Sequence, residues 1–168
     1  MQQLLAAFFT LFVTTHDAKS LMSTAKNTRL TLETAAAHIA AARYASDITD
    51  LDPDLLLAVA YHESRYETAV VGPLVRGKRA CGVMQPVPIS QRCPRPSLFR
   101  GYLDGAQHLA TWIRVERGNL NRALIGYAGG YALLRLCTLK EPPRACSIAR
   151  VHLSRAMRVK RARAYKQL

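Results

Sequence analysis

Glu63 is the residue of this sequence whose type and position best suit it to chemistry. It follows Leu56 and Ala60 at the spacing that places side chains on one face of a helix. A carboxyl group at the end of such an apolar helix is partly removed from water, which disfavours its charged form and raises its pKa. A carboxylic acid that stays protonated near neutral pH can serve as a general acid. The alternative is that Glu63 points away from the core or pairs with Arg65 or Lys78.

Two later segments carry side chains that can bind or position a ligand. The first, Gly-Val-Met-Gln at 82–85, contains Met84 and Gln85, and the second, ALIGYAGG at 123–130, contains Tyr127. Each side chain also has a purely structural interpretation. Met84 can fill a gap in the core, and Tyr127 can be a buried aromatic residue with a bonded hydroxyl.

These segments together resemble the soluble lytic transglycosylase and goose-type lysozyme superfamily. The resemblance rests on DPDLLLAVAYHESRYETAVVG at 52–72 and CGVMQP at 81–86, followed by the Tyr-containing segment. That family joins a helix ending in Glu-Ser, here Glu63 and Ser64, to a Gly-Leu-Met-Gln segment and a later Ala-Tyr-Asn-Ala-Gly-like segment. The resemblance covers roughly residues 50–131.

The resemblance implies a role for each matching residue. Glu63 would be the catalytic acid and base, and Ser64 would orient it or contact the sugar. Met84 and Gln85 would line the glycan cleft, and Tyr127 would lie near Glu63 and the substrate ring. The family also implies a lysozyme-like α+β fold, predominantly α, in which a small irregular or β lobe lies beside a helical lobe.

The activity implied is cleavage of the β-1,4 bond between N-acetylmuramic acid and N-acetylglucosamine in peptidoglycan, without a metal or cofactor. Ordinary glycosidases use two carboxylates. In lytic transglycosylases one Glu is sufficient, because the substrate's N-acetyl group assists and the muramyl 6-hydroxyl closes a 1,6-anhydro ring. The other nearby acids, Glu67 and Asp104, have no evident second role. A hydrolytic lysozyme of the same fold is the nearest alternative.

The sequence departs from the family pattern in two places. Ala128 stands where the family carries Asn after the Tyr, so an amide that could hold the cleft is missing. Between Val70 and Gly82, basic residues replace the family's small residues; these are Arg76, Lys78 and Arg79. A scaffold that binds the cell wall without turnover therefore remains an alternative.

The elements that must position these residues are predicted to be helices on either side of an irregular segment. Residues 31–46 have apolar positions at helical spacing. Asp52 and Pro53 mark the start of a helix that is apolar on every side, so it is expected in the core. Residues 67–100 are rich in Pro and Gly, which predicts irregular structure with a short hairpin around the 70s and 80s.

Three more helices are predicted after this segment. One spans about 102–117 and ends at Gly118. The next is capped by Asn119 or Asn121 and continues to Gly129-Gly130. A final basic helix follows Pro142-Pro143. We assign residues 25–140 to the lysozyme-like domain and 141–168 to a basic C-terminal helix or tail.

The four cysteines give an indication of the compartment. They are Cys81, Cys93, Cys137 and Cys146. None forms a C-x-x-C motif, which disfavours zinc ligation. Of the three connectivities, pairing of neighbours, 81 with 93 and 137 with 146, is the most economical, and four reduced thiols are the alternative. If the pairs form, the chain matures in an oxidising compartment.

The N-terminus carries an apolar run at 4–13, too short to span a bilayer and similar in length to the core of a signal peptide. No Lys or Arg precedes it and no clean cleavage site follows it. Residues 1–18 are therefore either an imperfect signal peptide or an N-terminal helix packed on the domain. The first interpretation predicts a periplasmic or extracellular protein.

The net charge of +13, from 24 Lys and Arg against 11 Asp and Glu, favours a polyanionic partner. No acid follows Glu141, whereas eight basic residues do. Peptidoglycan glycan strands are the expected partner, and an anionic wall or membrane surface would be contacted through the basic tail. A cationic nucleic-acid-binding protein is the alternative from another class, disfavoured by few aromatic residues, 7%, and by the lack of a recognisable reading motif.

Overall fold

The computed structural model describes residues 15–25, 29–74, 77–87, 93, 95, 97–139 and 142–164. The described part of the chain contains six α-helices and one 3-10 helix. They are α1 (Thr15–Thr24), α2 (Leu32–Thr49), α3 (Pro53–Ser64), α4 (Leu98–Val115), α5 (Leu120–Leu136), a 3-10 helix (Arg144–Ser147) and α6 (Ile148–Ala164). None of these helices is long and apolar enough to cross a membrane.

Helix α3 lies at the centre of the fold, as its all-apolar sequence predicts. Every residue from Leu55 to Ala60 is at most 5% exposed. The helix begins where expected, because the side chain of Asp52 accepts a hydrogen bond from the backbone N–H of Asp54 and Pro53 occupies the first turn. Helices α2, α4 and α6 pack around it.

The remaining helices enclose this centre. Helix α2 packs against both α1 and α4, α4 packs against α5, and α5 packs against α6. One face of α4 is apolar and lies against the core: Tyr102, Ala106 and Leu109 are fully buried, and Ile113 is partly buried. The helix nevertheless starts earlier than predicted, because the side chain of Ser97 accepts from the N–H of Arg100 and caps it.

Gly129-Gly130 does not end helix α5, contrary to the prediction. The chain continues to Leu136 with a kink at Gly130, whose φ of 63° and ψ of −165° are not helical. A residue without a Cβ adopts this conformation readily, so the helix changes direction without ending. The cap is Asn119, whose side chain accepts from the N–H of Arg122.

The segment between α3 and α4 forms an irregular lobe, and the expectation of a β lobe is wrong for the described residues. They contain no strand, and pairing is limited to isolated bridges such as the one between Val71 and Cys81. The chain bends at Gly82, directly after this bridge. Its φ of 74° is a conformation that glycine adopts readily. The predominantly helical character of the fold is confirmed.

Two disulfides join neighbours in sequence, Cys81 to Cys93 and Cys137 to Cys146, as the most economical pairing predicted. The first closes the irregular lobe on itself. The second ties the end of α5 to the 3-10 helix. No cysteine is left free, and two structural disulfides indicate an oxidising compartment.

The final basic helix, predicted after Pro142-Pro143, is α6, and it packs against α1, α3 and α5. Arg155 is 4% exposed; both terminal nitrogens of its guanidinium donate to the carbonyl oxygen of Thr24, and the group lies over the ring of Tyr61. Burial lowers the pKa of His152 to about 4, so this buried ring is neutral at pH 7. One face of α6 is thus part of the core.

The apolar run at 4–13 and the chain end at 165–168 lie outside the described residues.

Candidate active site

Glu63 lies one residue before the end of α3, with its side chain partly buried. Burial raises the pKa of Glu63 from its ordinary 4.5 to about 7. No ion pair joins it to Arg65 or Lys78, the two partners that would have neutralised the effect. Arg65 instead lies over the ring of Tyr61. The carboxyl group is therefore half protonated near neutral pH.

This buried acid has a measurable effect on stability. The folded state holds the proton more tightly than the unfolded chain, so burying Glu63 is harmless below pH 4.5 and destabilises the protein progressively as the pH rises to about 7. A Gln side chain carries no charge at any of these pH values. We expect Glu63→Gln to raise the free energy of unfolding at pH 8 by about 2 kcal/mol, allowing for partial exposure, and to change it little at pH 4.

Urea denaturation of both proteins at pH 4 and pH 8 measures this difference. Glu67→Gln is the matched control, because it removes the same charge from an exposed side chain one turn further along. A gain for Glu63→Gln that is equal at both pH values would show that desolvation of the carboxylate is not its cause.

Ser64 connects the end of α3 to the turn at 82–85. Its hydroxyl is buried and lies 2.6 Å from the carbonyl oxygen of Val83, and 3.0 Å from that of Ala60. Since the hydroxyl donates to the backbone of the turn, Ser64 holds the turn against the end of α3, directly beside Glu63. Contact of Ser64 with a sugar or with the Glu63 carboxyl stays a prediction.

Tyr127 brings α5 to the same turn. Its hydroxyl donates to the carbonyl oxygen of Met84 across 2.6 Å. Burial, and after it the nearby charge of Glu63, raises the pKa of Tyr127, so the phenol stays protonated. This electrostatic influence indicates that Tyr127 and Glu63 lie on the same side of the molecule. Contact of Tyr127 with a substrate ring stays a prediction.

Met84 and Gln85 are built into the turn itself. The side chain of Met84 is fully buried. Gln85 has a φ of 54°, and its amide donates to the carbonyl oxygens of Val70 and Gly82, at 3.0 and 2.7 Å. Both residues therefore fix the irregular lobe. Neither of them lines the open cleft that lies between this lobe and α4.

Helix α4 packs closely against the 82–85 turn at two of its glycines. A Cβ atom at Gly105 would overlap the side chain of Met84, and one at Gly101 would press against Val83. Both positions lie on the face of α4 that covers the turn. Three helices, α3, α4 and α5, thus converge on residues 82–85.

An open cleft of about 720 Å³ lies between the irregular lobe and α4. Its floor includes Gly82 and the Cys81–Cys93 disulfide, and one wall is a stretch of α4 that carries Arg100, Asp104 and His108. Glu63 is not part of the lining. The 82–85 turn separates the cleft from the end of α3, and it contributes Gly82 to the floor.

His108 links the cleft to the Glu63 side of the turn, and sequence reasoning missed it. Its ring packs against that of Tyr127, with 5.2 Å between centroids, and its Nε2 atom accepts a hydrogen bond from the indole N–H of Trp112. The signal was available: Arg100, Asp104 and His108 recur every four residues, beside the apolar face of α4. Asp104, noted earlier only as a nearby acid, pairs with Arg100 at 2.7 Å.

The described residues contain no group of three or more His, Cys, Asp or Glu side chains arranged to hold a metal ion. Fold and site define a disulfide-bonded, mainly helical protein with a desolvated carboxylic acid and, across the 82–85 turn from it, an open cleft whose lining is mainly apolar. Comparisons of the chain with protein-family models, curated proteins and solved structures found no match. The arrangement of the site is therefore the basis for a functional proposal.

Proposed function

We propose that the protein is a peptidoglycan lytic transglycosylase that uses Glu63 as its one acid and base. The observation that carries the proposal is the partly buried Glu63 carboxyl, unpaired among the described residues and half protonated near pH 7. Such a group can give up a proton and take one back within the same catalytic cycle. The motif resemblance supplies the substrate class.

The proposed reaction needs both protonation states of Glu63. The protonated form donates to the glycosidic oxygen, and the bond from that oxygen to C1 of N-acetylmuramic acid breaks while the carbonyl oxygen of the N-acetyl group attacks C1. The resulting Glu63 carboxylate then takes the proton of the 6-hydroxyl. The freed oxygen displaces the N-acetyl oxygen at C1, which closes the 1,6-anhydro ring and restores the protonated acid without a water molecule.

The surroundings of Glu63 favour this reaction over hydrolysis. An inverting hydrolase needs a second carboxylate to activate water, and a retaining one needs a carboxylate nucleophile. Asp104, the acid that lines the cleft, is held by Arg100, and the side chain of Glu67 is exposed to solvent. Neither carboxylate is supported for the second role.

The substrate places the proposed activity in the periplasm or outside the cell, which agrees with the two disulfides. The outer face of α6 supplies positive charge for contact with an anionic wall or membrane surface. Among the side chains that the structure describes on this helix, the exposed basic ones are Arg150, Arg158 and Lys160. Charge of this kind aids docking and does not select the sugar.

The products of purified sacculi digested by the full chain test the proposal. We expect muropeptides that end in 1,6-anhydro-N-acetylmuramic acid, each lighter by one water than the hydrolysed product in mass spectrometry. Reducing ends would instead identify a lysozyme. Binding to sacculi without release of any muropeptide would identify a wall-binding scaffold, and would overturn the proposed enzyme.

A further inference from the structure

His108 belongs both to the cleft and to the surroundings of Tyr127. Its side chain lines the cleft and its ring packs on the Tyr127 ring. The hydroxyl of Tyr127 is fixed by the carbonyl oxygen of Met84. His108 and Tyr127 therefore connect the cleft to the neighbourhood of Glu63.

The hydrogen bond from Trp112 determines which nitrogen of His108 carries the proton. An indole N–H is a donor and has no acceptor, so the Nε2 atom of His108, 3.2 Å away, must accept with its lone pair. The proton of the neutral ring then resides on Nδ1. Because Trp112 lies one helical turn after His108 on α4, the helix itself keeps the two rings together.

The neutral state is favoured for a second reason. Burial lowers the pKa of His108, and a protonated ring would lose the lone pair that accepts from Trp112. His108 therefore presents a single, fixed N–H group. Within the described part of the chain, the Nδ1 atom has no hydrogen-bond partner, and it is not among the buried polar atoms sealed from solvent.

We propose that His108 is a substrate-binding residue, which donates its Nδ1–H to an uncharged oxygen acceptor, a hydroxyl or an acetamido carbonyl, of a glycan in the cleft. The proposal rests on the proposed function for the nature of the ligand. Trp112 is a positioning residue, since it acts on the ligand through the tautomer of His108.

Two substitutions separate this role from a structural one. In His108→Asn, the amide N–H lies near the former Nδ1 and keeps the donor, but the bond from Trp112 is lost. In His108→Gln, the amide oxygen reaches the former Nε2 position and keeps the bond from Trp112, but the Nδ1 donor is lost. The two variants thus divide the two hydrogen bonds of one ring between them.

Turnover of soluble peptidoglycan oligosaccharides by the full chain is the measurement. We expect His108→Gln to raise KM about tenfold, the loss of one neutral hydrogen bond, and His108→Asn to stay within about threefold of the wild type. Both should leave kcat within about twofold, because the bond is made to the bound substrate and not only in the transition state. An equal rise in KM for both variants, or a larger rise for His108→Asn, would overturn the proposal.

Two further measurements, an NMR spectrum of the His108 ring and the dissociation constants of the variants, distinguish a failure of the His108 proposal from a failure of the proposed enzyme. Long-range proton–nitrogen NMR spectra of the imidazole should show the Nδ1–H tautomer in the wild type and its loss in Trp112→Phe; an Nε2–H tautomer in the wild type contradicts the proposal. If the wild type binds the oligosaccharides without cleaving them, dissociation constants of the same two variants replace KM, and the proposed enzyme fails while His108 is still tested. If the wild type binds no oligosaccharide, both proposals fall.

Discussion

Glu63→Gln is expected to reduce the release of anhydro-muropeptides about a thousandfold, the effect typical of removing a general acid. The amide has nearly the shape of the carboxylic acid but cannot donate a proton to the glycosidic oxygen. The Ser64 and Tyr127 hydrogen bonds that hold the 82–85 turn do not involve Glu63, so the fold should persist. Initial rates on purified sacculi, with products identified by mass spectrometry, measure the loss.

The pH dependence of kcat/KM in the wild type should reflect the ionisation of the Glu63 carboxyl group. Burial raises the pKa of Glu63 to about 7, so the fraction that can act as an acid falls as the pH rises through 7. We therefore expect kcat/KM to decline tenfold for each pH unit well above 7, with the slope of a single group. At acidic pH the protonated form predominates and this limb is flat.

Glu67→Gln is the control for both measurements, since it removes an exposed carboxylate from the next turn of the chain. It should retain the wild-type rate and pH profile. Anhydro products from Glu63→Gln at a rate near that of the wild type would contradict the assignment of Glu63. If kcat/KM of the wild type declined at alkaline pH with a midpoint far from 7, the burial that raises the pKa of Glu63 would be contradicted.

The sequence was informative about α3 and Glu63 for local reasons. Asp52 and Pro53 define where the helix begins, and an uninterrupted apolar run can be accommodated only in the core. A carboxyl group on the core-facing side of that helix, near its end, is expected to be desolvated, and the structure excludes the alternative of an ion pair with Arg65 or Lys78. The cysteine pairing was predictable for a similar reason, since short loops bring neighbouring cysteines together.

The irregular lobe was not predictable in detail, because pairing among its described residues is limited to isolated bridges such as the one between Val71 and Cys81, and the 82–85 turn after that bridge is held by side chains. The carbonyl oxygens of Val83 and Met84 are satisfied by hydroxyl groups of Ser64 and Tyr127, from helices distant in sequence. Gln85 satisfies two more carbonyl oxygens through its own amide. Alternation of apolar and polar residues carries no information on such bonds, so a hairpin was the nearest regular structure to expect.

His108 and α6 show two other limits of sequence reasoning. The role proposed for His108 depends on one N–H group of Trp112 and on the ring of Tyr127, which comes from another helix. In α6, Arg155 looks like the surface arginines around it, yet it is buried because Tyr61 and the Thr24 carbonyl receive it. A run of like charges gives the total charge of a helix and does not show which members are buried.

Gly105→Ala is expected to destabilise the protein by about 3 kcal/mol, at the upper end of the effect of overpacking a core. The new methyl group would overlap the Cβ, Cγ and Sδ atoms of Met84, whose fully buried side chain has no free space to enter. Relief requires α4 or the 82–85 turn to move. Movement of the turn would strain the hydrogen bond from Tyr127 to the Met84 carbonyl oxygen, so activity should fall as well.

Gly101→Ala, one turn earlier on α4, is the matched control for that change. Its new methyl group would meet Val83 at 3.1 Å, a contact that a small shift relieves, and Ala is the better helix former. We expect its free energy of unfolding to stay within about 1 kcal/mol of the wild type. Urea denaturation with the disulfides intact compares the three proteins. Equal stability of the two variants would mean that α4 does not press on Met84 at Gly105, and that the turn behind the cleft is free to move.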